Sequence, residues 1–211
     1  MLKSKSMPKV VDHAARRAEL AAAVWSITAD RGLGAASLRE VAAEAGWSLG
    51  ALRHYFASRD ELLRFAFGVA AERGRERIVR AATSGAPTRA GLRRSLEEML
   101  PLDAERATEC RVWLAFVVGA DLASALAAER ERAYAELLDE LARQLDGLTR
   151  FGHSPERTAR LLWAAVEGIA LQGVAAPAVM TPARQQAALE EQLDLLLAGA
   201  RPGGTTPPRW G

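Results

Sequence analysis

The stretch from Ser48 to Arg59 concentrates side chains that could do chemistry on a nucleic acid. Arg53 carries a fork of donors that matches O6 and N7 of guanine, a contact worth about 1–3 kcal/mol of discrimination. Ser48 and His54 add donors on either side of it. Gly50 and Ala51 are small enough to let a helix approach the floor of a groove. Tyr55 and Arg59 suit phosphates, as do Ser37 and Arg39 upstream; such contacts orient a protein on DNA without reading sequence. Trp47 either packs beneath a turn or touches a thymine methyl.

Catalytic chemistry finds no comparable foothold. His13, His54 and His153 fall in an N-terminal arm, a helix and a loop, and none has a Cys, Asp or Glu partner at metal-ligand spacing. No Gly-rich phosphate loop follows a strand, and no Ser-His-Asp set can be nominated. Cys110, between Glu109 and Arg111, reads as a buried structural thiol, with a redox sensor as the alternative. A lone cysteine cannot close an internal disulfide and is compatible with a reducing cytoplasm. The expectation is therefore no enzyme, no metal and no cofactor.

The DNA-facing residues need elements to position them, and the flanking sequence supplies those. Ser37 and Glu40 have the spacing of a capping box, in which a hydroxyl accepts from an orphan backbone N–H and a carboxylate reaches back. Leu38, Val41, Ala42 and Ala45 recur at three- and four-residue steps, which predicts one apolar helix face. Gly46 stops that helix, because a left-handed cap costs least without a Cβ. Ser48 then caps a second helix with Leu49, Leu52 and Phe56 inward, and Ser58 and Glu61 form another capping box that opens a third. Helix, Gly-containing turn and short helix make a helix-turn-helix whose second helix fits a major groove.

The run SLREVAAEAGWSLGALRHYFASRDELL resembles the DNA-binding motif of the TetR family of bacterial repressors. The resemblance rests on the hydroxyl residue opening the scaffold helix, the AG turn with Ser after it, the Tyr55-Phe56 pair and the Ser58-basic-acidic-acidic-Leu run. Trp47, Arg53 and Arg59 depart from the family's usual residues; Trp47 and Arg53 sit where bases could be read and bear on operator sequence. ECRVWLAF and VEGIALQGVAAP are similar to the C-terminal domains of the subgroup that includes the betaine-pathway repressors. The resemblance implies operator DNA as partner and an effector pocket enclosed by the helices of the body.

Beyond the head the pattern stays helical, and no run alternates with period two. The expectation is an all-α protein of about nine helices: a three-helix head over residues 10–57, a helical effector-binding and dimerisation body over 58–200, and flexible tails at 1–9 and 201–211. The helix beginning at Arg59 would join head to body rigidly. In the body, Phe67, Met99, Trp113, Phe116, Tyr134 and Trp163 read either as core or as a ligand pocket, with Arg111, Glu167 and Gln172 as its polar lining. The helix near 155–175 is apolar around most of its circumference and must be buried. Leu162, Ala165, Ile169, Leu189, Leu193 and Leu196 are expected to form a two-fold contact between copies of the chain.

Charge distribution agrees with a DNA-facing end. Residues 1–59 carry nine Lys/Arg against five Asp/Glu, a balance of +4, and the remaining 152 balance to −2. A basic module on a slightly acidic body suits a partner that is a polyanion. Apolar runs are broken by charge short of the length that spans a bilayer, and MLKSKSMPKV lacks the apolar core of a secretory signal. The sequence thus predicts a cytoplasmic homodimeric repressor, released from a palindromic operator by an unknown small molecule. Two alternatives remain: a DNA-binding dimer without a ligand, and an all-α enzyme or ligand carrier that has kept a basic head.

Overall fold

A computed structural model describes residues 13–82, 86–119, 126–149 and 153–197. The expected tails, and the lysines of the N-terminal segment, lie outside these residues. Among the described residues there are nine α-helices and one short 3-10 turn, and the extended pairing is limited to a single bridge between Thr149 and Leu197. The helices are α1 (His13–Arg31), α2 (Leu38–Glu44), α3 (Leu49–Arg53), α4 (Arg59–Ala81), α5 (Arg89–Glu97), α6 (Ala104–Val118), α7 (Ala127–Gln144), α8 (Pro155–Ala175) and α9 (Pro182–Leu196). None of these is long and apolar enough to cross a membrane.

Local sequence explains most of the starts. The hydroxyls of Ser37, Ser48, Thr88 and Ser154 each accept from the backbone N–H three residues on, satisfying donors that a helix start leaves orphaned. The capping boxes close only in part. Glu40 pairs with Arg31 at 2.9 Å instead of reaching back to Ser37, whose N–H donates to the Ala35 carbonyl. Glu61 does reach back, but to the N–H of Ala57 at 2.8 Å.

By its contacts the chain divides into two compact units, one of Met1–Gly74 with Ala107–Ala133, the other of Arg75–Arg106 with Tyr134–Gly211. In the first, Leu20, Val24 and Ile27 of α1 meet Val41 of α2, Leu52 of α3 and Leu63 of α4, and Val112 and Phe116 of α6 complete the same core. Trp25 is only half-buried. Its indole N–H donates to the Ala66 carbonyl at 3.1 Å, and Arg73 lies over its ring.

In the second unit, Leu92 and Leu96 of α5, Leu162 and Val166 of α8, and Leu189 and Leu193 of α9 are buried. Arg89 ties α5 to α9 through Asp194 at 2.6 Å and through Glu190; the hydrogen bond that it donates to Asp194 leads the causes that hold its guanidinium above the ordinary value. The buried Ser95 hydroxyl donates to the Ile78 carbonyl at 3.0 Å. Gly173 is a close-approach site: a Cβ there would lie 2.6 Å from Nε2 of Gln185 and 2.7 Å from Cγ of Pro101.

This packing corrects the expected two-fold surface. Leu162, Ile169, Leu189 and Leu193 are buried within the single chain, and Ala165 and Leu196 are half-buried. Periodicity had found an apolar face, but it is the face that α8 and α9 turn toward each other. The exposed apolar residues of α8 are Leu161, Ala164, Leu171 and Ala175, with half-buried Gly168 on the same stripe.

Candidate nucleic-acid interface

The turn between α2 and α3 is built by backbone chemistry that glycine permits. Gly46 has φ of 71°, the left-handed region. That conformation lets the N–H of Trp47 donate to the Ala42 carbonyl at 2.7 Å and the N–H of Gly46 donate to the Ala43 carbonyl at 3.1 Å. The two bonds together form a Schellman motif, which satisfies the last carbonyls of α2 and turns the chain. Ser48 then starts α3, accepting from Ala51 N–H at 3.1 Å.

Only five residues of α3 are helical, so it cannot stand alone; short helices are marginal without tertiary packing. Leu52 and, just beyond, Phe56 are fully buried and anchor it. Leu49, expected inward, is half-buried. The opposite side carries Ser48, Gly50, Arg53 and His54, all exposed, with Ala51 half-buried. A Cβ on Gly50 would meet only the Ser48 hydroxyl, at 3.9 Å. The chain's own packing therefore does not require glycine there.

Trp47 packs edge-on against Tyr55, ring centroids 5.2 Å apart at 71°. Both rings are half-buried. His13 lies in α1, not in an arm, and its ring is 5.4 Å from that of Tyr55. Arg16, one turn on, places its guanidinium 5.4 Å from the Trp47 ring while pairing with Glu19 at 2.9 Å. His13, Arg16, Trp47, Ala51, His54 and Tyr55 line a cleft of about 470 Å³. Neither the place of His13 in a helix nor the part played by Arg16 is legible along the chain. Spacing holds no signal for either, because their partners lie across the fold.

The remaining DNA-binding candidates divide. Arg39 is exposed on α2. Ser37 is half-buried and its hydroxyl already serves the cap. Arg59 was expected to face phosphate; instead its Nε donates to the Ala36 carbonyl and its Nη2 to the Leu33 carbonyl, both at 2.9 Å. Arg59 at the start of α4 thus reaches two carbonyls of the loop between α1 and α2, of which that of Leu33 also accepts from the Ala36 N–H.

The residues read as a ligand pocket come from both units. Phe67 and Phe116 are fully buried in the first unit, where Phe67 stacks on Trp113 at 5.5 Å. Arg111 is exposed and donates to the Thr108 hydroxyl, and Gln172 is exposed on the outer face of α8, so neither interrupts an enclosed apolar face as expected. Both corrections follow from helix phase, since the buried side of each helix runs through its neighbours instead. In the second unit the Tyr134 hydroxyl donates to the Glu167 carboxylate at 2.5 Å. Trp163, one turn before Glu167, is 6% exposed, and its indole N–H has no acceptor. Met99 is half-buried. Among the described residues no group of three His, Cys, Asp or Glu is placed to hold a metal ion, and Cys110 is buried.

Comparison with known proteins bears on both parts of the chain. A family pattern described as bacterial regulatory proteins, tetR family, matches residues 20–65, and one described as BetI-type transcriptional repressor, C-terminal, matches residues 87–198. The HTH-type transcriptional regulator PksA of Bacillus subtilis (strain 168) is 44% identical over 110 residues, which are 52% of this chain and 54% of PksA, so the match spans about half of that protein. A transcriptional regulator from Rhodococcus sp. Rha1 has a crystal structure that superposes with a TM-score of 0.78 at 35% identity, covering 85% of this chain and 95% of that one. A regulator from Saccharomonospora viridis, solved in complex with choline, shares the fold at a TM-score of 0.76 and 20% identity, over 88% of this chain and 100% of its own.

Proposed function

The chain belongs to the tetR family of bacterial regulatory proteins, and from that premise we propose that it is a cytoplasmic transcriptional repressor that binds operator DNA through α3. The observation that carries this reading is the outward side of α3: Ser48, Gly50, Ala51, Arg53 and His54 carry three donors for base or phosphate contacts, a flat centre and no acid. Arg53 reads a guanine, Gly50 and Ala51 set the depth of approach, and Arg39, Tyr55 and His54 take phosphates. Membership of a family of regulators speaks against the enzyme alternative.

Assembly as a homodimer follows from the outer face of α8. Leu161, Ala164, Gly168 and Leu171 recur at three- and four-residue steps, and the space beside Gly168 is open to within 4 Å. Small residues on such a stripe let a second helix come close, and a two-fold pairing would hold two heads for a palindromic site.

The effector is a small molecule engaging the second unit near Tyr134, Trp163 and Glu167. A buried indole N–H without an acceptor costs free energy that a bound acceptor would recover, and the Glu167 carboxylate would suit a cationic or amine-bearing group. The solved relative with choline shows that the fold can hold such a molecule in another protein. The ligand-free alternative draws on the exposed positions of Arg111 and Gln172, which remove two of the three expected polar lining groups.

Selection of a duplex from a random pool, followed by footprinting, tests the central reading. The expected product is a near-palindromic site whose affinity falls steeply with salt, as phosphate counterions are released. Failure to enrich any duplex would remove the DNA reading.

A further inference from the structure

We propose that the cleft between the first turn of α1 and the end of α3 seats the DNA backbone, with Arg16 as a phosphate ligand and Trp47 and Tyr55 as its floor; this rests on the DNA reading above. A B-form major groove is about 12 Å wide, close to the 10–12 Å diameter of a helix with its side chains. A helix lying in the groove therefore leaves its immediate neighbours against the phosphate ridge. Ala51 and His54 belong to the end of α3 and line the cleft from one side; His13 and Arg16 line it from α1.

The lining has the chemistry of a backbone site. It offers a guanidinium, two imidazoles and a phenol, and no carboxylate. The aromatic floor is fixed by the edge-on Trp47–Tyr55 contact, and the His13 ring adds a third plane at 43° to that of Tyr55. Such a floor suits a deoxyribose, and the Arg16 guanidinium beside it suits the phosphate next to that sugar. Arg16 is now shared with Glu19, but both partners are about half exposed, with side-chain exposures of 45% and 48%. An exposed ion pair of this kind contributes little, so exchanging Glu19 for a phosphate costs little. The cleft also gives Trp47 a role other than reading a thymine: its ring is held by Tyr55 and Arg16.

The test compares the wild type with Arg16→Gln, Arg16→Lys and, as a remote charge control, Arg143→Gln. Fluorescence anisotropy is measured at several NaCl concentrations on the duplex selected by the wild type and on a scrambled duplex of equal length. Circular dichroism melting confirms that each variant is folded. Arg16→Gln is expected to weaken both duplexes by a similar factor and to lower the salt slope by about 1. Arg16→Lys should restore the slope, because the charge is kept. A slope unchanged from wild type, or changed no more than by Arg143→Gln, overturns the inference. So does a loss confined to the selected duplex, which would mean that Arg16 acts only by bracing Trp47. A wild type that binds neither duplex removes the DNA reading itself.

Discussion

The guanidinium of Arg59 donates from Nη2 to the carbonyl oxygen of Leu33, 2.9 Å away and 26 positions earlier in the chain. With the parallel bond from Nε to Ala36, it fixes the loop that delivers Ser37 to the start of α2. Arg59→Ala removes the charged donor from the carbonyls of buried Ala36 and Leu33, the latter keeping only the Ala36 N–H, and a hydrogen bond from a charged group is worth about 1.5–3 kcal/mol. The expected result is a fall in stability of roughly that size in urea titration, with little change in the salt slope of DNA binding. Unchanged stability with a slope reduced by about 1 would return Arg59 to the phosphate contacts.

Arg53 should behave in the opposite manner. It is exposed, so Arg53→Ala should leave the melting temperature within about 1–2 °C, since surface changes stay near ±0.5 kcal/mol. Discrimination between the selected duplex and its single-base variants should shrink by about 1–3 kcal/mol at one position in each half-site. Equal discrimination before and after would mean that another side chain does the reading.

Charge placed on the two faces of the α8–α9 pair should separate folding from assembly. Leu193 is fully buried, so Leu193→Asp puts an ion into the protomer's own core and should unfold it. Ala164 is exposed on the outer stripe, so Ala164→Asp should leave the protomer folded and shift sedimentation from dimer to monomer, with loss of operator affinity. A dimer that survives Ala164→Asp and Leu171→Asp together argues for a contact elsewhere.

Glu167 links the two uses of the second unit. Glu167→Gln keeps the shape and removes the charge, while Tyr134→Phe removes the donor that the carboxylate uses. If the pair helps to hold an amine, both variants should still bind operator, and a panel of primary and quaternary amines that raises the wild-type melting temperature should raise theirs less. A large fall in melting temperature with an unaltered response to those compounds would make the pair structural.

The sequence disclosed what is decided within a few residues. Ser37 and Ser48 cap helices where the spacing put them, and Gly46 takes the left-handed turn, because each outcome depends on neighbours along the chain. Contacts across the fold were not legible. Glu40 finds Arg31, His13 finds Tyr55, and Arg59 finds the loop carbonyls only once α1, α2 and α4 are packed. Periodicity also fails on a helix such as α8. When almost every face is apolar, nothing local distinguishes Leu162, which meets its own chain, from Leu161, which meets solvent.

The short α3 divides its labour cleanly between its two sides. Leu52 and Phe56 hold it in place, while Gly50, Arg53 and His54 make no contribution to the core and Gly50 has open space around it. Substitutions on the outer side are therefore close to neutral for folding and free to be selected for what they touch. A gene duplicate could drift from one operator to another by single changes, each leaving an intact protein, so the same scaffold can be re-addressed within a genome without first becoming unstable.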